Sequence, residues 1–129
     1  MTRNVILPEA NRRAYEGFHF APAVRAGNLV ILSGQIGLDP SGKLPESAEE
    51  EFRNAWRAIG QTLAHAGLGY ENIVEYTTFH VGLQANLPIF MKVRDEFISE
   101  PWPAWTAIGI TELAVPGARV EIRVVAHQQ

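Results

Sequence analysis

From Ala118 to His127 the chain alternates without a break, with Val120, Ile122, Val124 and Ala126 on one side and Arg119, Glu121, Arg123 and Val125 on the other. Successive side chains of a strand point to opposite faces, so this run predicts a strand with one wholly apolar face. The other face mixes charge with a single valine and puts a carboxylate between two guanidinium groups. Only the apolar face has to be covered by other parts of the chain. A sheet sheltered on one side is the condition every other segment must meet.

Two segments have the periodicity of the cover. Ser47-Ala-Glu-Glu50 is a capping-box pattern, in which the Ser hydroxyl and the Glu carboxylate satisfy free amides of a first helical turn. Phe52, Ala55, Trp56, Ile59, Leu63 and Ala66 then recur along one helical face, and Gly67 is the stop. A second helix is expected from Asn86 as its cap, with Pro88 in the first turn. Its apolar stripe is Ile89, Phe90, Val93 and Phe97, and Pro101 and Pro103 end it.

The strands read as Asn28–Ser33, Ile73–Leu83, Trp105–Leu113 and Ala118–His127, the last two joined by a turn at Pro116-Gly117. Asp39-Pro-Ser-Gly42 is a further turn. Strands come first and last, and both helices are apolar on one side only. This order predicts an α+β domain with one mixed sheet and two helices packed on one face. The uncovered sheet face predicts self-association.

Composition narrows the function classes. A chain of 129 residues, 47% hydrophobic and 19% charged, suits one globular domain, 1–129. With no cysteine it has no disulfide, thiolate metal site or thiol nucleophile. Its formal charge is −3 and its 11 basic residues are scattered rather than striped, which argues against a nucleic-acid partner. No apolar run approaches the roughly 18–20 residues of a membrane span. Met1 to Ala10 lacks the apolar stretch of a signal peptide, so a cytoplasmic protein with no membrane partner is expected. His19, His65, His80 and His127 show no metal-ligand spacing, and Ser33 has no His/Asp relay to make it a nucleophile.

Several motifs resemble one family. Leu32-Ser-Gly-Gln-Ile36, with Asp39-Pro-Ser-Gly42 behind it, is similar to the signature of the RidA/YjgF family. So are Ala66-Gly67-Leu68, Asn72-Ile-Val, and the tail Pro103-Ala-Trp-Thr106, Glu112-Leu and Pro116-Gly-Ala-Arg-Val-Glu-Ile122. The likeness covers about residues 18 to 127 in order and spacing. It implies a chorismate-mutase-like α+β subunit in a homotrimer with a central β-barrel and clefts between subunits. It also implies hydrolysis of reactive imines or enamines that leak from pyridoxal-phosphate enzymes, with no metal and no cofactor.

The resemblance assigns the candidate residues, and this sequence departs at several. The arginine that grips the substrate carboxylate in the family is Trp105 here, and a position often occupied by Cys is Ala107. The pocket tyrosine corresponds to Phe20 and the asparagine of the second helix to Met91. Glu121, Ser33 and Gly34 are kept. Indole offers one N–H donor and no charge, so a bidentate grip on a carboxylate is lost at residue 105. A loss on the order of 2–3 kcal/mol lowers affinity for a 2-imino acid tens-fold.

The expectation is therefore a small-molecule ligand that is more apolar, or one whose acid group binds elsewhere, for instance at Arg123. Trp105 reads either as a stacking wall of the cleft or as filler within it. Glu121 reads either as the group that positions or activates water, or as an ion-pair partner of Arg119 and Arg123. Ser33 and the Gly34 backbone read as hydrogen-bonding groups for the ligand. A non-catalytic binding trimer is the alternative to an enzyme.

Overall fold

The computed structural model describes residues 2–129. The alternating C-terminal run forms β7 (Val120–His127), and its apolar members Val120, Ile122, Val124 and Ala126 are fully buried. It lies inside a mixed sheet built from β1 (Asn4–Ile6), β2 (Ala23–Ala26), β3 (Leu29–Leu32), β5 (Ile73–His80) and β6 (Ala104–Gly109), in the order β1-β2-β3-β7-β5-β6. A two-residue strand, β4 (Gln35–Ile36), also pairs with β7. It continues the edge that β3 begins, after a break at Ser33-Gly34.

Helix α2 (Ala48–His65) behaves as its sequence dictates. Ser47 Oγ accepts from the Glu50 amide at 3.2 Å. The reciprocal half of the capping box is not made, because the Glu50 carboxylate turns to Arg53 and Arg57. Gly67 adopts φ +79, and the Leu68 amide reaches back to Leu63 O, so the helix ends in a left-handed glycine turn. Phe52, Ala55, Trp56, Ile59 and Leu63 are all buried against the sheet. Each large side chain so buried is worth about 1.5–3 kcal/mol of transfer free energy, which makes α2 the main cover of the sheet.

The second long helix, α3 (Leu83–Arg94), begins earlier than expected. Gly82 takes φ +80 and reverses the chain directly after β5, so the strand ends at His80 rather than Leu83. Asn86 is therefore not the cap. It lies in the first turn, where Nδ2 donates to Gly82 O at 3.2 Å. Phe90 meets Phe52 edge-on at 5.5 Å between ring centroids and binds α3 to α2.

The last two strands are not a hairpin. β6 runs parallel to β5, and β5 separates it from the antiparallel β7. β6 also stops at Gly109, not Leu113: its only partner strand ends at His80, whose carbonyl takes the last bond from the Ile110 amide. Helix α1 (Arg12–Phe18) was not foreseen, and it buries no residue.

Both long helices cover one face of the sheet. The other carries Val24, Ile31, Ile36, Phe79, Ile108 and Val125 around Glu121 and Arg123, by the cross-strand register. Among the described residues no element covers it.

Candidate functional site

Glu121 points from β7 toward the open face, between its cross-strand neighbours Phe79 and Ile36. The break between β3 and β4 brings Gly34 beneath it. A Cβ on Gly34 would run into the Glu121 carboxylate, so only glycine leaves room for that group to lie over the backbone. The expected flanking by two guanidiniums does not form. Arg119 precedes the strand and turns to the helix side, where it bonds the fully buried Glu51 through its amide (2.6 Å) and Nη1 (2.7 Å). Arg123 keeps to the open face, 3.9 Å from Glu75. Glu121 thus has no ion-pair partner among the described residues. Burial without compensation pushes its carboxyl above the ordinary value, opposite in sign to what two flanking cations would do.

Ser33 is committed to the fold. Its amide donates to Pro22 O at 2.9 Å and its hydroxyl to Ala21 O at 2.6 Å. The hydroxyl oxygen can still accept, but its donor role toward a ligand is taken. These two bonds tie down the segment carrying Phe20. Phe20 and Ser33, with Arg3, Tyr15 and His19, line a hollow of about 630 Å³ beside α1.

Trp105, Met91 and Ala107 form a second group on the helix side of the sheet edge. The Trp105 indole does not point into solvent. It stacks on Tyr76 at 5.7 Å and 12°, and on Phe90 at 6.0 Å. Its Nε1 donates to Thr78 Oγ1 at 2.9 Å, and the same oxygen lies 2.7 Å from His80 Nε2. The Thr78 hydroxyl thus bridges the indole N–H and the His80 ring. His80 is 1% exposed and Nδ1 finds no partner; desolvation pulls its pKa down to about 4. Ala107 stands opposite Thr78, and Met91 lies on α3 with 38% of its surface exposed.

A cation nevertheless lies beside Trp105. Arg94, the last residue of α3, places its guanidinium over the Trp105 ring, 5.0 Å from the centroid. Sequence reasoning missed this residue. Its spacing of three from Met91 was the available signal, since positions three apart share a helix face.

The two groups do not meet within one chain. Glu121 with Gly34, Ser33, Phe20 and Arg123 belongs to the open face or its rim, and Trp105 with Ala107, Met91 and Arg94 to the covered side. β5 lies between the strands that carry them, so they are about 10 Å apart laterally as well as on opposite faces. Among the described residues no three His, Asp or Glu side chains gather as a metal site would need. No helix is long and apolar enough to cross a membrane.

Such an arrangement defines a class: a small α+β subunit whose candidate residues are split between two surfaces. The family model described as endoribonuclease L-PSP matches residues 12–128. The chain is 33% identical over 126 residues to the RutC family protein YjgH of Escherichia coli, covering 97% of this chain and 95% of the relative. It is 34% identical over 114 residues to the 2-iminobutanoate/2-iminopropanoate deaminase of Bos taurus, covering 84% and 80%. The solved structure of protein YjgH superposes with a TM-score of 0.88 at 32% identity over 99% of this chain and 98% of that one. RidA from the Antarctic bacterium Psychrobacter gives 0.79 at 28% identity, over 84% and 87%. The chain belongs to the RidA/YjgF family.

Proposed function

We propose that three copies of this chain assemble through their open faces, and that each cleft between copies hydrolyses a small imine or enamine without metal or cofactor. One copy supplies Glu121, Gly34 and Phe20, and its neighbour supplies Trp105, Ala107 and Met91. Water adds to the imine carbon, one of its protons passes to the nitrogen through Glu121, and the carbinolamine collapses to a carbonyl compound and ammonia. The observation that carries this reading is the Glu121 carboxylate lying over Gly34 with no ion-pair partner among the described residues. Its raised pKa makes it a better proton acceptor than an ion-paired carboxylate. The deaminase names of several relatives support the reaction class.

The test is ammonia release from 2-iminobutanoate generated in place by a pyridoxal-phosphate enzyme. Wild type should accelerate release above buffer, and Glu121→Gln should fall to the buffer rate with its thermal midpoint unchanged or raised. An unaccelerated wild type would overturn the reading. Substitution of the family arginine by Trp105 favours one rival, a trimer that binds a small molecule without turnover. Thermal stabilisation by a metabolite that is recovered unchanged would support that rival.

A further inference from the structure

The hollow beside α1 continues the open half of the cleft. Ser33 lines it, and the next residue, Gly34, lies directly under the Glu121 carboxylate. Its floor is the cross-strand pair Val5 and Val24, which shares the open face with Glu121 by register. α1 buries no residue of its own, yet it contributes Tyr15 and Glu16 to the wall. The helix ends at His19 in the left-handed region, φ 61 and ψ 45, the one non-glycine residue with positive φ among those described. Extended backbone would alternate its side chains between two faces. The left-handed turn instead lets His19, Phe20 and Ala21 all border the hollow. Strained backbone of this kind collects at ligand sites.

The lining favours a ring. Core aromatics pack ring on ring, Trp56 alone meeting Tyr70, Tyr76, Phe90 and Phe97. Among the described residues neither Tyr15 nor Phe20 packs against another aromatic ring, and Phe20 is 46% exposed. At about 630 Å³ the hollow lies within the range of small-molecule pockets, roughly 300–1,000 Å³. A methyl or ethyl group would leave most of that volume to water. A flat ring on the two valines would displace it, and contacts between aromatic groups gain beyond the area they bury. Arg3 and Glu16 complete the lining with opposite charges, so it favours neither a cationic nor an anionic side chain.

We propose that the α1 hollow holds the substrate's side chain and that this side chain is aromatic, with Tyr15 and Phe20 flanking the ring over Val5 and Val24 while the imine carbon lies at Glu121. The inference rests on the cleft reading given above and deepens it by naming the substrate class. Tyr15 is then a specificity-determining residue, supplied by the helix that has no part in the core.

The experiment compares two 2-oxo acids that differ only in side chain, 3-phenyl-2-oxopropanoate and 2-oxobutanoate. Each is titrated calorimetrically into wild type, Tyr15→Ala, which removes a wall, and Ala21→Leu, which fills the hollow. Wild type should bind the phenyl compound about ten-fold or more tightly than the ethyl one. Either variant should cut that preference by about five-fold or more. Ammonia release from the matching imines, made in place by an amino-acid oxidase with catalase present, should follow the same order. Sedimentation and thermal midpoints show that a variant keeps its fold and assembly, and Tyr15→Leu or Ala21→Val replaces one that does not. Equal binding of the two acids by wild type overturns the inference. So does no binding of the phenyl compound, or a preference that survives in either variant. Tight binding of the phenyl compound, lost in the variants but without ammonia release, sinks the hydrolase reading alone. Release from 2-iminobutanoate with no preference for the ring sinks this inference alone.

Discussion

Burial raises the Glu121 pKa and lowers that of His80, and the consequences for stability have opposite signs. The Glu121 carboxyl is raised, so the folded chain binds its proton more tightly than the unfolded chain does. Its contribution is present at low pH and is lost as pH rises through the folded value. That is why removing its charge leaves stability unharmed at neutral pH. His80 is lowered from 6.5 to about 4, so between those values the unfolded chain binds more protons. Its contribution is complete above pH 6.5 and falls away toward pH 4, by on the order of 3 kcal/mol in all. Denaturant midpoints measured across that window should decline for wild type and flatten for His80→Asn. Gly34 gives a residue-level test of a different kind. Gly34→Ala needs no forbidden backbone angle, since only the movable end of the Glu121 side chain stands in its way. We expect a folded protein whose carboxylate is pushed aside and whose ammonia release drops toward that of Glu121→Gln.

At the scale of elements, the pairing of β5 with β6 sets the orientation of Trp105. The Thr78 hydroxyl on β5 accepts from the indole N–H and shares a hydrogen bond with His80 Nε2, so one hydroxyl positions two rings. Thr78→Val keeps the shape but leaves both nitrogens without a partner, at a cost of about 2 kcal/mol or more. Thr78→Ser should stay near wild type, and urea unfolding followed by tryptophan fluorescence compares the two. What was legible in the sequence follows the same division. α2 and β7 could be read because short-range rules fix them: a serine cap, a glycine stop, and strict alternation. α1 could not, since a helix that buries nothing has no apolar stripe. The parallel partnership of β5 and β6 was also out of reach, because it joins segments across α3 and no turn residue announces it. Among candidate residues, Glu121 and Gly34 were each named from a motif, and their approach across the break between β3 and β4 appears only in the fold. The ion pairing of Arg119 was misjudged because Glu51, its true partner, sits 68 positions away. Arg94 escaped notice for the same reason, its contact with Trp105 being created only when α3 packs on the sheet edge.

At the scale of the whole molecule, the open sheet face and the split site point to one arrangement. Val24, Ile31, Phe79, Ile108 and Val125 line up across the open face, where a second copy could shelter them. Sedimentation should give a particle of three times the 14.3 kDa chain. The proposed division of each cleft between two copies has a consequence for mixed populations. A chain crippled at Glu121 still presents a sound covered side, and a chain plugged by Ala107→Phe still presents a sound open side. Unfolded together and renatured, two such dead proteins should regain activity, with about a quarter of their clefts drawing an intact half from each parent. In the proposed trimer, two alleles damaged on different surfaces complement each other, whereas one damaged copy mixed with wild type should leave about half of the clefts intact whichever surface it has lost.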